Sequence, residues 1–394
     1  MPSPQLTPPE QSWRSQRVGL VHDYLIKAGG SEAVTQALWG LCPQSPLYTS
    51  VLSRQTLPAF WQDRDIRPSA LQPLAKVLGV LQDDYHSRLK WILPLMPWAF
   101  ARLDLSGYDC VISSSHAFAK GIRTQGLHIC YLHTPTRYLW GSESIYFDRG
   151  LVSRWQQPLA QRVLGWLKKL DFEAAQQPQV LIANSHHIRC RIEQVYQRSA
   201  QVIHPPVDVD FFQPNPAPSA DYDLVVSRLV PYKRVDRAVQ AYTQLQQPLV
   251  VVGEGPERER LQQMAGSTIT FLPHQSGPEL RHLYSNCRFF VFPWEEDFGI
   301  IPVEVQACGR PVIGLDAGGI QDTVIPDKTG IRFREASVAG LIDGIRQAEA
   351  QAWDPQLIRA HAETFSTDRF LTQMDQVIQS AWEHFQRDPT FFRP

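Results

Sequence analysis

Short, nearly continuous apolar runs recur along the chain, separated by stretches of helical period. Val18–Tyr24 (VGLVHDY), Asp109–Ser115 (DCVISSS), Leu127–His133 (LHICYLH) and Val180–Ala183 (VLIA) read as strands, with a short extended piece at Val202-Ile203. Between them, Ser31 is placed to cap a helix running to about Leu41, Leu151–Gln177 forms a long amphipathic helix, and Asn184 or Ser185 caps another. The segment 204–220 (HPPVDVDFFQPNPAPSA) holds five prolines and no helical period, so it reads as a linker. The alternation then restarts. Strands are predicted at 223–229, 248–252, 268–272, 288–293 and 311–316, and helices at 234–246, 256–265, 277–286, 301–308, 337–350, 354–364 and 367–386.

Apolar strands that alternate with helices predict parallel sheets covered on both faces. Two such blocks joined by a proline-rich linker predict an α/β chain of two Rossmann-like domains whose sheets face a central cleft. The expected divisions are a disordered tail (1–16), an N-terminal domain (17–205), a C-terminal domain (206–370) and a final helical segment (371–394) that packs back on the first domain.

Composition narrows the classes. Over 394 residues, Lys+Arg is 38 and Asp+Glu is 39, a net charge of −1 that excludes nucleic-acid binding held by bulk charge. Hydrophobic residues make up 43%, enough for sizeable cores. The six cysteines include no C-x-x-C pair, which argues against a zinc ribbon or a redox dithiol. The start is rich in Pro, Ser and Gln and does not read as a secretory signal. The apolar run Trp91–Phe100 is too short to span a bilayer and holds two prolines. A soluble or peripheral, cytoplasmic protein is expected.

In open parallel sheets ligands bind beyond the carboxyl ends of the strands, which directs attention to the residues after each strand. Arg228, at the end of the strand 223–229, and Lys233, at the start of the next helix, are two cations suited to a diphosphate. Two solvated surface cations would read the same way. In Pro293–Glu304 (PWEEDFGIIPVE), Pro302 suits the first helical position and Gly299 lets backbone N–H groups approach a ligand. Glu304 is expected in the first helical turn and Glu296 on the loop before it, either contacting sugar hydroxyls or forming an acidic capping cluster. Asp208-Val209-Asp210 has the form of a metal-binding D-x-D string, but it lies in the linker and reads as turn and capping aspartates. Gly29-Gly30 is not G-x-G-x-x-G, which ranks hydride transfer lower. His116 after DCVISSS fits either a proton-exchanging group or a hydrogen-bonded strand-end histidine; His22, His133, His186 and His187 read as the latter.

Basic and aromatic residues mix around Trp91–Phe100 (Arg88, Lys90, Arg102) and in 151–170 (Arg154, Trp155, Arg162, Trp166, Lys168, Lys169). Such surfaces rest on anionic membranes, and they equally form cores with snorkelling cations.

The strings EEDFGIIPVEVQACGRPVIG, SRLVPYKRVDRAVQAY and LVVVGEGPERERL resemble glycosyltransferase family 4, retaining enzymes of the GT-B fold, with Glu296 and Glu304 forming an E-x7-E signature. The resemblance covers nearly the whole chain after residue 17; YDCVISSSHAFAKGI and CYLHTPTRYLWG resemble the branch of GDP-mannose-dependent mannosyltransferases. It implies transfer of a sugar from a nucleotide-diphosphate donor to a glycan or lipid-linked acceptor, as in polysaccharide or O-antigen assembly, with no metal or other cofactor. A UDP-sugar donor, or nucleotide-sugar binding without turnover, stays open. Carried over residue by residue, Arg228 and Lys233 hold the diphosphate, Glu304 the ribose, and Glu296 lies near the transferred sugar. The backbone of Phe298, Gly299 and Ile300 faces sugar and phosphate, and Gly29-Gly30 approaches the diphosphate from the other domain. Gly253, Glu254 and Gly255, with Pro273 and His274, meet the base; His116 contacts the sugar, and His133 and Arg137 lie toward the acceptor. Two departures stand out: His-Pro-Pro-Val-Asp at 204–208 replaces the common Asn-Gly-Val-Asp, and Asp322 stands where Glu is common.

Overall fold

The computed structural model describes residues 12–81, 88, 89, 91–141, 157–215 and 220–388. Residues 1–11 of the tail, Lys90, 151–156 of the long helix with Arg154 and Trp155, and 216–219 of the linker lie outside the described residues. The chain forms two compact units. One runs to Ile203 and resumes at Leu371; the other is His204–Phe370.

The first unit holds seven strands: β1 (Val18–His22), β2 (Leu47–Thr49), β3 (Ile66–Pro68), β4 (Cys110–Ser115), β5 (Leu127–Leu132), β6 (Val180–Ala183) and β7 (Gln201–Val202). Their order is β3-β2-β1-β4-β5-β6-β7, and every neighbouring pair is parallel. β1, β4 and β5 are buried at every position, including the polar ones, because helices cover both faces. Order reverses between β1 and β4, and open parallel sheets receive ligands beyond the carboxyl ends of the strands at such a reversal.

The second unit holds six parallel strands, β8 (Asp223–Val226), β9 (Leu249–Val252), β10 (Ile269–Leu272), β11 (Phe290–Phe292), β12 (Val312–Leu315) and β13 (Gly330–Phe333), ordered β10-β9-β8-β11-β12-β13. Its reversal falls between β8 and β11. One core runs through it, from Val225 and Val251 to Phe290, Ile313, Leu341 and Ile345.

Several expectations need correction. Residues 12–16 are ordered: Trp13–Ser15 forms a 3-10 turn, and Trp13, 1% exposed, donates its indole N–H to Asp375 at 2.9 Å on the last helix (Thr367–Arg387). That helix belongs to the first unit from Leu371 onward. The helix after β1 starts at Gly30 and is capped by Gly29, with Ser31 inside it. Ser185 does cap its helix, accepting from the Ile188 N–H at 3.1 Å. β8 stops at Val226, which puts Arg228 in the following loop. Lys233 closes a 3-10 turn (Pro231–Lys233), and the helix begins at Val235 after Arg234 in the left-handed region (φ 43°). The helix after β11 begins at Ile300, so Pro302 is its third residue and Glu304 its fifth, one or two residues deeper than expected.

Candidate functional site

In the second unit, the loops after β8 and β11 flank the reversal of strand order. Lys233, from the first loop, makes an ion pair with Glu296, from the second. The lysine ammonium also lies over the rings of Trp294 (5.1 Å) and Tyr232 (5.5 Å), and the Trp294 indole N–H donates to the Glu296 carboxylate at 3.3 Å. Arg228 is exposed on the same loop as Lys233. The structure thus brings a cation and an acid to the position where an open parallel sheet presents ligands.

The loop after β12 holds this pair from the other side. Gly319 donates its N–H to the Glu296 carbonyl at 2.8 Å, and Gly318, in the left-handed region (φ 73°), bridges to Glu296. A Cβ on Gly319 would overlap the Phe298 backbone, so glycine is required for the approach. Gly299, also left-handed (φ 87°), caps the helix Ile300–Ala307. The His204 ring stacks on Phe298 at 5.5 Å, and its Nε2 lies 3.3 Å from the Asp322 carboxylate, so the two departures noted above pair with each other.

Gly253 and Gly255 follow β9 with positive φ and pack against the backbone of Ser227 and Leu229; Leu229 donates to the Glu254 carbonyl at 2.9 Å. The Gly-Glu-Gly loop is therefore fastened to the Arg228 loop. Glu254, Pro273 and His274 are exposed at the ends of β9 and β10. Glu304, only partly buried, accepts from Tyr284 on the helix Gly277–Asn286, with Asp208 nearby. Burial pushes its carboxyl up to about 7. A folded-state value above the ordinary 4.5 means that the folded chain binds a proton the unfolded chain releases between pH 4.5 and 7. Stability is therefore present at low pH and lost as pH rises through that window, by roughly 3 kcal/mol. Glu304→Gln is expected to abolish the loss. Urea midpoints of wild type and variant at pH 5 and pH 8 check this: a wild-type decline equal to the variant's would refute it. Asp208 itself accepts from the Phe211 N–H at 2.9 Å, the turn role predicted for it.

In the first unit the corresponding loops follow β1 and β4. Asp23 is fully buried, and its carboxylate accepts four successive backbone N–H groups, from His116 (2.5 Å), Ala117 (2.8 Å), Phe118 (2.7 Å) and Ala119 (2.7 Å). His116 Nδ1 lies 3.4 Å from the same carboxylate. Burial pushes the Asp23 pKa up, but His116, His22 and the backbone N–H bonds outweigh it and leave the group below its ordinary value. His22 Nδ1 reaches the Ser114 carbonyl (3.1 Å), and its Nε2 faces Glu32 (3.3 Å) at the start of the helix after Gly29-Gly30. Ser114 Oγ bonds His133 Nε2 at 2.8 Å. His133 is buried, and burial holds its pKa well below 6.5, whereas Arg137 is exposed. Sequence reasoning missed Asp23 and Glu32; a lone acid after a strand and an acid in a helix's first turn carry no signal of burial.

A third buried cluster sits behind His116 and His133. Lys120 donates to Asp171 at 2.6 Å, with neither side chain exposed, and Asp171 also accepts from Thr136 (2.6 Å), Tyr196 (2.6 Å) and Trp140 (2.7 Å).

Residues 208–363 match the family model described as glycosyl transferases group 1. A D-inositol 3-phosphate glycosyltransferase of Mycobacterium avium is 32% identical over 194 residues, 42% of this chain and 46% of the relative; the chain thus spans about half the length of the curated relatives it matches. Among solved structures, Anabaena HepE, in complex with UDP and glucose, superposes with a TM-score of 0.65 at 18% identity over 93% of this chain and 100% of HepE. Sucrose-phosphate synthase from Thermosynechococcus elongatus gives 0.67 at 18% identity over 93% and 99%. The two-unit α/β architecture is the GT-B fold.

Proposed function

We propose that this chain is a retaining glycosyltransferase that moves a hexose, mannose from GDP-mannose, to a hydroxyl of a glycan or lipid-linked acceptor, as in polysaccharide or O-antigen assembly. The observation that carries the proposal is the meeting of Lys233 and Glu296 at the strand-order reversal of the second sheet, inside the segment that matches the group 1 family. As the glycosidic bond to the nucleotide breaks, positive charge grows on the sugar and negative charge on the departing phosphate. Lys233 and Arg228 stabilise the phosphate, Glu296 sits by the sugar, and the Gly299 turn presents backbone donors. The transfer needs no metal or other cofactor. The Gly-Glu-Gly loop and Pro273-His274 take the base, Glu304 the ribose, and Gly29-Gly30 the diphosphate; His116 meets the sugar, and His133 and Arg137 serve the acceptor.

The resemblance of the first-unit strings favours GDP-mannose. A UDP-sugar is the second reading, favoured by the UDP and glucose bound to HepE. Among the described residues no helix is long and apolar enough to cross a membrane. Exposed Trp91 (67%), Trp98 (46%) and Trp166 (52%), with Arg102 over Trp98 at 4.7 Å, support a peripheral contact with the cytoplasmic membrane face that would bring a lipid-linked acceptor within reach.

A thermal-shift screen tests the donor. GDP-mannose at a hundred times its dissociation constant is expected to stabilise the chain by about 2.7 kcal/mol and to raise Tm by several degrees, with UDP- and ADP-sugars well behind. A larger shift with a UDP-sugar would move the donor to the second reading, and no shift with any nucleotide sugar would refute the proposal. A shift without hydrolysis or transfer across many acceptors would mark a binding protein.

A further inference from the structure

We propose that Asp23 is the positioning residue for His116, fixing both the backbone that carries the ring and the nitrogen that holds its proton. This rests on the glycosyltransferase proposal above for the ring's task, though not for its geometry. Asp23 follows β1 directly, and His116 follows β4 directly, so the contact joins the two strands at which the first sheet reverses order. A carboxylate that accepts four consecutive N–H groups fixes the 116–119 turn in a single orientation. The same oxygen that takes the His116 N–H faces the ring Nδ1 at 3.4 Å. The contact is electrostatic and lacks hydrogen-bond geometry, but an anion at this distance disfavours a lone pair on Nδ1, so Nδ1 carries the hydrogen and Nε2 is left as the ring's acceptor.

The surroundings make the acid matter. His116 is half-buried, its ring 5.7 Å from that of His22 and 6.2 Å from that of His133, with Tyr24 edge-on at 4.9 Å. The charged or titratable groups acting on it are Asp23 and His22 at the end of β1, Glu32 on the helix after Gly29-Gly30, Lys120 on the turn after β4 and His133 at the end of β5. Burial lowers the His116 pKa, His22 and Lys120 act the same way, and Asp23 opposes all three, more strongly than Glu32. Removing the Asp23 charge therefore moves the His116 titration to lower pH.

Two measurements test this. In the wild-type chain, long-range ¹H–¹⁵N spectra of the ring should show the Nδ1–H form of His116; the Nε2–H form would overturn the proposal whether or not any donor turns over. In hydrolysis of the nucleotide sugar that gives the largest thermal shift, Asp23→Asn is expected to lower kcat roughly a hundredfold with little change in KM, and to move the acid limb of the pH profile downward. In a His116→Ala background Asp23→Asn should cost less than about threefold more, because the two act through one ring. Equal losses in both backgrounds, or an unmoved acid limb, would overturn it. If the wild type turns over no nucleotide sugar, the enzymatic proposal fails, and the ring spectra alone decide the role of Asp23.

Discussion

Lys233→Ala is expected to lower turnover by roughly a hundred- to a thousandfold, the usual cost of removing one preorganised group that receives charge in the transition state. The fold should survive. Lys233 is only half-buried in a 3-10 turn after β8, and its ion pair to Glu296 is the kind of partly solvated contact worth about 1 kcal/mol or less. Unchanged melting with lost turnover is therefore the expected signature, and near-normal turnover would remove Lys233 from the mechanism. The geometry adds a second consequence. Lys233 is neutralised by Glu296, and any diphosphate it grips must compete with that carboxylate. Glu296→Gln should then bind free GDP or UDP about tenfold more tightly, 1.4 kcal/mol per decade, while transferring sugar more slowly. In the Lys233→Ala background the gain should vanish. Calorimetric titration of the four proteins forms the cycle, and weaker nucleotide binding by the glutamine variant would show that the pair assists the ligand rather than competing with it.

The positions of these two residues were legible from the chain because parallel sheets leave a strong trace. Runs such as DLVV and FVF are apolar on both faces, and helices of matching length separate them, so the loops that hold Arg228, Lys233 and Glu296 could be placed within a residue or two. The strands that escaped are short or mixed. β2 and β3 have three residues each, and β3 ends in Pro68; β13 reads Gly-Ile-Arg-Phe, with Arg332 only partly buried. They are strands because a neighbour pairs with them, which no local pattern encodes. The buried acids escaped for a related reason. Asp23, Glu32 and Asp171 look like turn or helix-surface residues in sequence, and their burial follows from the donors the fold brings to them from 10 to 96 positions away. The start of the Glu304 helix was misjudged by one or two residues because Pro302 suits a first helical position, whereas the left-handed Gly299 starts the helix earlier.

Lys120→Ala is expected to destabilise the first unit by about 3–5 kcal/mol, because it strips the counter-charge from a carboxylate with no exposure to water. Three neutral donors would remain on Asp171, from Thr136, Tyr196 and Trp140. They soften the loss but do not replace a cation. Burial, together with the Asp171 charge, keeps the Tyr196 phenol protonated, so it continues to donate. A neutral substitution of both partners tests the cause. Lys120→Met with Asp171→Asn leaves one acceptor oxygen for the remaining donors and no buried charge, and should recover at least half of the lost stability. Urea unfolding of the three chains gives the comparison; a Lys120→Ala cost below 1 kcal/mol would mean that water reaches Asp171. The consequence extends to the sites. Lys120 also donates to the Ala117 carbonyl, one residue from His116, while Thr136 and Trp140 flank Arg137 and follow His133. One ion pair thus holds the two first-unit segments assigned to sugar and acceptor, and Lys120→Ala should loosen both while leaving nucleotide binding by the second unit intact, a separation that GDP titration of the folded variant reads directly.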